Sequence, residues 1–188
     1  MSLKATIFKA DLQIADMDRQ VYGNHSATIA RHPSETDERM MIRVLAFALN
    51  VPPSNDDGAL EFAKGLWDVD EPELWRRDLT GRIVHWIDIG QPDDRRMMKS
   101  APRADRASVY SHGSSTPIWW AGVASKVTRA RNLDVWQIPS EQSQALAEFA
   151  QRTMQLQVTV QDGMVWVSDG TRSVEIAPIR LYGESPAR

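Results

Sequence analysis

Arg82-Ile83-Val84-His85-Trp86-Ile87-Asp88-Ile89-Gly90-Gln91-Pro92-Asp93-Asp94-Arg95-Arg96-Met97-Met98-Lys99 is the stretch from which the fold can be read. Its first half, Arg82 to Ile89, is apolar on both faces: Ile83, Ile87 and Ile89 lie on one, Val84 and Trp86 on the other. A strand of that kind belongs in the middle of a sheet covered on both sides. Pro92 then opens a helix running to about Ala101. Asp88 shares a face with Trp86 near the end of this buried strand, and Gly90 beside it has no side chain to shield it. A buried carboxylate is costly unless it is paired, hydrogen-bonded or bound to a metal. The following helix sets Arg95 and Lys99 four apart, and Arg96 and Lys99 three apart, so each pair shares a face.

Working outward, Leu74 to Arg77 reads as a strand that turns at Asp78-Leu79-Thr80-Gly81 into Arg82. Residues 54–64 are ambiguous and leave room for a short helix. Upstream, Leu3 to Ile14 and Gln20 to Ala30 read as a hairpin about Asp16-Met17-Asp18-Arg19. A helix capped by Ser34 carries Met41, Val44, Leu45, Ala48 and Leu49 at helical spacing and ends at Asn50-Val51-Pro52-Pro53. Downstream come a strand at Ala107 to Ser111, a helix over Pro117 to Arg131 and a strand at Leu133 to Ile138. A helix capped by Ser140 is expected to reach Thr153. Leu156 to Gln161 and Met164 to Ser168 flank Asp162-Gly163, a strong hairpin signal, and Ser173 to Ile179 adds a further strand. Helices mixed with strands, and hairpins at both ends, give an α/β (α+β) class with a mixed β-sheet core and flanking helices. No repeat or linker interrupts the 188 residues, so one domain over 1–188 is expected.

Composition excludes several functions. With no cysteine there is neither a disulfide framework, nor a Cys-based zinc site, nor a thiol nucleophile. The N-terminal residues lack a signal peptide's apolar run, and no window approaches the roughly 18 apolar residues that span a bilayer. A soluble, cytoplasmic protein is therefore expected. Net charge is −3, whereas nucleic-acid-coating proteins are strongly basic, so nucleic-acid contact would rest on a local patch. The histidines, His25, His32, His85 and His112, lack the spacing of a metal site. Ser114-Ser115 lacks the setting of a serine nucleophile.

Two further acidic elements bear on Asp88. Glu38 (or Glu35) lies at the start of the first helix, and Pro72-Glu73 precedes the strand leading to Asp88. Converging carboxylates suit a hard cation such as Mg²⁺, and metal-assisted phosphodiester hydrolysis needs such a site plus a lysine. The plainer readings are a capping or ion-pair role for Asp88, with Arg95 as its partner, helix-dipole complementation for Glu35 and Glu38, and a solvated loop charge for Glu73.

Several strings resemble signatures of the YaeQ family. They are Ala30-Arg31-His32-Pro33-Ser34-Glu35-Thr36, Glu38-Arg39-Met40-Met41, Asp70-Glu71-Pro72-Glu73, Trp86-Ile87-Asp88-Ile89-Gly90, Pro92-Asp93-Asp94-Arg95-Arg96, Ile118-Trp119-Trp120, Asn132-Leu133-Asp134-Val135-Trp136 and Gln161-Asp162-Gly163-Met164-Val165-Trp166. The resemblance runs over nearly the whole chain and implies a compact variation on the PD-(D/E)XK nuclease fold. Pro72-Glu73 then stands for the PD element, with Asp70 as fallback. Asp88 is the acid of (D/E)XK, and Glu38 is the added helix acid. The motif's lysine falls at position 90, which is Gly90 here; Lys99, or else Arg95 or Arg96, would have to serve instead. The resemblance thus implies Mg²⁺ or Mn²⁺ held by Glu38, Glu73 and Asp88, with Lys99 at the scissile phosphate. Arg95 and Arg96 would grip the backbone of DNA or RNA. Since some members of the superfamily are inactive, its alternative is a non-catalytic, nucleic-acid- or protein-binding factor with a transcription-linked role.

Overall fold

The computed structural model describes residues 4–184, so Leu3, the first residue of the expected hairpin, lies outside the described residues. The class is the mixed α/β one, with strands in two mixed sheets and four α-helices among the described residues. By its internal packing the chain forms two compact units. One runs to Pro53 and resumes over Pro139–Pro178; the other comprises Ser54–Ile138 and the segment from Ile179.

In the first unit, β1 (Thr6–Asp16) and β2 (Val21–Arg31) form the expected antiparallel hairpin. Phe8, Ala10, Leu12 and Ile14 are buried at every second position of β1, the mark of a sheet with one covered face. Helix α1 (Asp37–Asn50) is capped by Thr36, whose side chain accepts from Arg39 N–H. The expected cap, Ser34, is instead bound to His32 Nδ1. The sheet order is β10-β9-β8-β1-β2, with β8 (Thr153–Gln161), β9 (Met164–Ser168) and β10 (Ser173–Ile176). Asp162 and Gly163 both have positive φ, 53° and 77°, as a two-residue hairpin of this hand requires. β8 runs parallel to β1, with Lys9 opposite Thr153. Helix α4 (Ser140–Ala147) is shorter than expected, and its cap is Pro139 rather than Ser140. Arg152 C=O already accepts from Lys9 N–H at 2.8 Å, so the chain must be extended by that point.

In the second unit the order is β11-β7-β6-β5-β4-β3. Its strands are β3 (Leu60–Phe62), β4 (Leu74–Arg77), β5 (Ile83–Ile89), β6 (Arg106–His112), β7 (Leu133–Ile138) and β11 (Ile179–Tyr182). β5 is interior as its two apolar faces demand, antiparallel to β4 and parallel to β6. Helix α2 (Asp94–Ser100) is capped by Asp93 and tightens into a 3₁₀ turn at Ala101–Arg103. The helix expected over Pro117 to Arg131 is only α3 (Thr116–Val123) and a 3₁₀ turn at Ala124–Lys126. Gly122, a poor helix former, sits in its last turn, and Val127 and Ala130 reach the core from turns beyond it. That core joins Trp86, Ala107, Val109, Leu133 and Val135 of the sheet to Met97, Ala101 and Val123 above it. No described helix is long and apolar enough to cross a membrane.

Candidate functional site

Asp88 stands one residue before the end of β5, on the face covered by α2, and is 5% exposed. The turn that follows begins at Gly90, whose φ is +103°. A Cβ there would meet nothing within 4 Å, but L side chains rarely adopt this backbone conformation. The position where the motif expects lysine is thus one the local chain path reserves for glycine. From Gly90 the chain enters α2, where Asp93 accepts from Arg96 N–H at 2.8 Å and so fixes the helix phase.

That phase turns Arg96, not Arg95, toward the strand. Arg96 Nε donates to Asp88 Oδ2 at 2.9 Å and Nη2 to Oδ1 at 3.0 Å, a two-pronged grip. Its remaining reach goes to main-chain carbonyls: Nη1 to Val69 at 2.5 Å and Nη2 to Glu71 at 3.0 Å. Burial lowers the Arg96 pKa, but the hydrogen bond and charge of Asp88, backed by Glu73 and Asp70, outweigh it and leave the pKa raised. The ion-pair reading of Asp88 therefore holds, with its partner corrected from Arg95 to Arg96.

Glu73 is only 6% exposed, immediately before β4; its N–H donates to Ile87 C=O at 3.1 Å. The carboxylate lies directly over Gly65, where φ is +54° and any Cβ would collide with it. The solvated loop charge is thus a buried one, since the backbone at Gly65 closes down on it. Asp70 is exposed and lies 3.8 Å from Lys99 Nζ, both side chains being 72% exposed. Lys99 therefore spends its charge at the surface, where such a pair is worth little. Arg95 is exposed. Glu38 belongs to the other unit, in the first turn of α1, and accepts from Ser143 Oγ at 2.7 Å. Glu35, just before α1, is held by Arg39 and Arg43.

The structure thus brings Asp88, Glu73, Asp70, Arg96 and Lys99 into one unit. Among the described residues no group of three or more His, Asp or Glu side chains is placed to hold a metal ion. Asp88, the central candidate ligand, has both oxygens on a guanidinium. In this arrangement the side chains do not fit Mg²⁺ or Mn²⁺.

Sequence reasoning missed two features. Arg103, just beyond α2, has its guanidinium 4.9 Å from the Trp86 ring centroid, and Trp86 Nε1 is buried without a hydrogen-bond partner. On the opposite face of the sheet, Ser108 Oγ donates to Asp134 Oδ1 at 2.8 Å and stands 2.7 Å from His85 Nε2. Arg106 and Trp136 Nε1 complete the donors around Asp134. A hydrolase triad needs the imidazole between hydroxyl and carboxylate. Here the hydroxyl sits between the other two and is 1% exposed, so the row is a structural network. Period-two spacing of His85, Ser108 and Asp134 with the apolar residues of their strands was the only signal for it.

The profile of the family described as "YaeQ protein" matches residues 1–178. The chain belongs to the YaeQ family. It is 43% identical over 177 residues to YaeQ of Escherichia coli strain K12, covering 94% of this chain and 95% of that one. Salmonella typhi YaeQ is 44% identical over the same shares. The crystal structure of YaeQ from Xanthomonas axonopodis pv. citri matches with a TM-score of 0.88 at 46% identity, covering 96% of this chain and 99% of that one. That of Pseudomonas syringae YaeQ matches at 0.88 and 37%, covering 96% and 97%. The YaeQ fold is thus the fold of this chain along nearly its whole length.

Proposed function

We propose that this YaeQ-family chain is a nucleic-acid-binding protein on a PD-(D/E)XK-type fold that no longer cleaves its ligand, acting in the bacterial cytoplasm. The choice between binding and cleavage is carried by one observation, the closed pair of Asp88 and Arg96. A nuclease acid must offer oxygens to a metal that activates water, and these oxygens are taken. Binding is supported by Arg95 and Arg103, exposed basic side chains on α2 and the turn after it, on an acidic chain. A transcription-linked role remains the setting implied by the sequence resemblance. The rival reading is hydrolysis with Glu38, Glu73 and Asp88 on Mg²⁺ or Mn²⁺ and Lys99 at the phosphate.

The test is fluorescence anisotropy and cleavage, side by side, on single-stranded, duplex and branched DNA and on RNA. Wild type, Asp88→Asn and Arg95→Ala/Arg103→Ala would be compared in EDTA and in Mn²⁺. The proposal expects low-salt binding that is indifferent to EDTA and weakened by the double arginine change, with every substrate left intact. Mn²⁺-dependent cleavage that disappears in Asp88→Asn would replace it with the hydrolase reading.

A further inference from the structure

We infer that Arg96 takes the place a divalent cation would hold at Asp88, so that the chain closes this site with a guanidinium of its own. The inference rests on the non-cleaving reading above and adds the group that stands in for the metal. Four oxygens converge on Arg96: both of Asp88, and the main-chain carbonyls of Val69 and Glu71, at 2.5–3.0 Å. An all-oxygen set of carboxylate and carbonyl donors is what a hard cation takes. A planar guanidinium can donate to the same oxygens, because its N–H groups fan out in one plane, whereas a lysine ammonium is a single point of charge.

The guanidinium also does the mechanical work of a bound ion. Through it α2 is tied to the end of β5 and to the 69–71 segment that leads into Glu73. Three stretches of chain, the 69–71 segment, the end of β5 and α2, meet on one cation. Glu73 and Asp70 add their negative fields to that of Asp88 at the same guanidinium. To reach Asp88, a divalent ion would first have to break both charged hydrogen bonds. It would then leave a partly buried guanidinium beside it, which like charge forbids. Substituting Arg96 by a short neutral residue reverses the situation. Asp88 then stands buried without a counter-charge, facing two unpaired carbonyls, and an added cation has something to gain.

The experiment is thermal melting of the full chain, free of nucleic acid, in EDTA and in millimolar Mn²⁺ or Ca²⁺, with ionic strength matched by sodium chloride. Wild type should melt at one temperature in all three. Arg96→Ala should melt several degrees lower in EDTA and recover part of that loss in Mn²⁺ or Ca²⁺ but not in sodium. A wild-type shift in Mn²⁺ as large as that of Arg96→Ala, or an Arg96→Ala protein indifferent to both ions, overturns the inference. If Arg96→Ala does not fold, Asp88→Asn/Arg96→Met decides. Removing both charges should restore folding, and a double variant no better than Arg96→Ala sinks the idea. Wild type that ignores Mn²⁺ and also fails to bind nucleic acid removes the proposed function and leaves this inference standing. Wild type that is stabilised by Mn²⁺, yet binds without cleaving, does the reverse.

Discussion

Replacing Asp88 by asparagine exchanges one heavy atom, removes one charge, and separates two accounts of the site by the sign of the stability change. The asparagine keeps one acceptor oxygen for Arg96 but presents an NH₂ group to the second N–H, so one charged hydrogen bond is lost and two donors are opposed. A hydrogen bond to a charged group contributes about 1.5–3 kcal/mol net. Breaking a fully buried pair costs about 3–5 kcal/mol. Asp88 is 7% exposed in its side chain but Arg96 is 31% exposed, so solvent can reclaim part of the released guanidinium. The lower range therefore applies, and a loss of about 2 kcal/mol is expected. For a chain of this length that corresponds to a melting temperature lower by roughly 4–8 °C. The assay is thermal and urea unfolding in EDTA, followed by far-ultraviolet circular dichroism. An acid kept for a metal and held without it would behave oppositely. Beside Asp70 and Glu73, neutralising it would relieve repulsion, and function-bearing residues commonly cost stability. A variant as stable as wild type, or more so, would refute the structural ion pair.

Other expectations can be checked with the same instruments. Gly65→Ala should lose at least the roughly 1–2 kcal/mol that a left-handed backbone costs, its Cβ also pushing aside the Glu73 carboxylate; an unchanged urea midpoint would refute the left-handed conformation at Gly65. Glu35→Gln removes the carboxylate that accepts from Arg39 and from Arg43, whose side chain is 5% exposed; about 3–5 kcal/mol should be lost, and under 1 kcal/mol would count against a buried triad. Asp78 accepts from Thr80 Oγ1, Thr80 N–H and Arg82 N–H, which hold its pKa at about 2 against the usual 3.8. Its ionised form therefore supports the fold fully above pH 3.8, and that support fades as pH falls through about 2. Acid titration of stability should be flatter for Asp78→Asn in that window; identical curves would exclude the turn as a source.

What could be read from the sequence follows the range over which each signal acts. The two faces of β5 and the turn at Asp162-Gly163 are written within a few residues, and both stood where expected. Helix lengths at Pro117 and Ser140 were overestimated because periodicity sees apolar spacing. It does not see Gly122 weakening a last turn, or Arg152 already committed to Lys9. The partner of Asp88 was off by one residue for a similar reason. One residue turns a helix side chain by about 100°, and the phase was set by Asp93 as the cap, an interaction with no apolar signature. Glu73 passed for a loop charge because its burial depends on the backbone at Gly65, eight residues earlier. The division of strands between two sheets depends on the pairing of β1 with β8 and of β11 with β7, to which no local pattern points.

The parallel pairing of β1 with β8 also sets an order of events during synthesis. β1 lies between β2 and β8, so the first hairpin emerges with one long side of β1 unpaired and stays so until residue 153 has been made. At roughly 5–20 residues per second, the stretch from Arg31 to Thr153 takes the ribosome roughly 6–24 s. Within that interval the strands from β3 to β7 become available in sequence, and each from β4 onward pairs with the strand made just before it. The interior segment can thus pair β3 to β7 while β1 still waits, with only the edge strand β11 to follow. An amphipathic strand held open for seconds is an invitation to pair with the wrong chain. A holdase that covers exposed strands would act to greatest effect on this protein between the synthesis of Arg31 and that of Thr153.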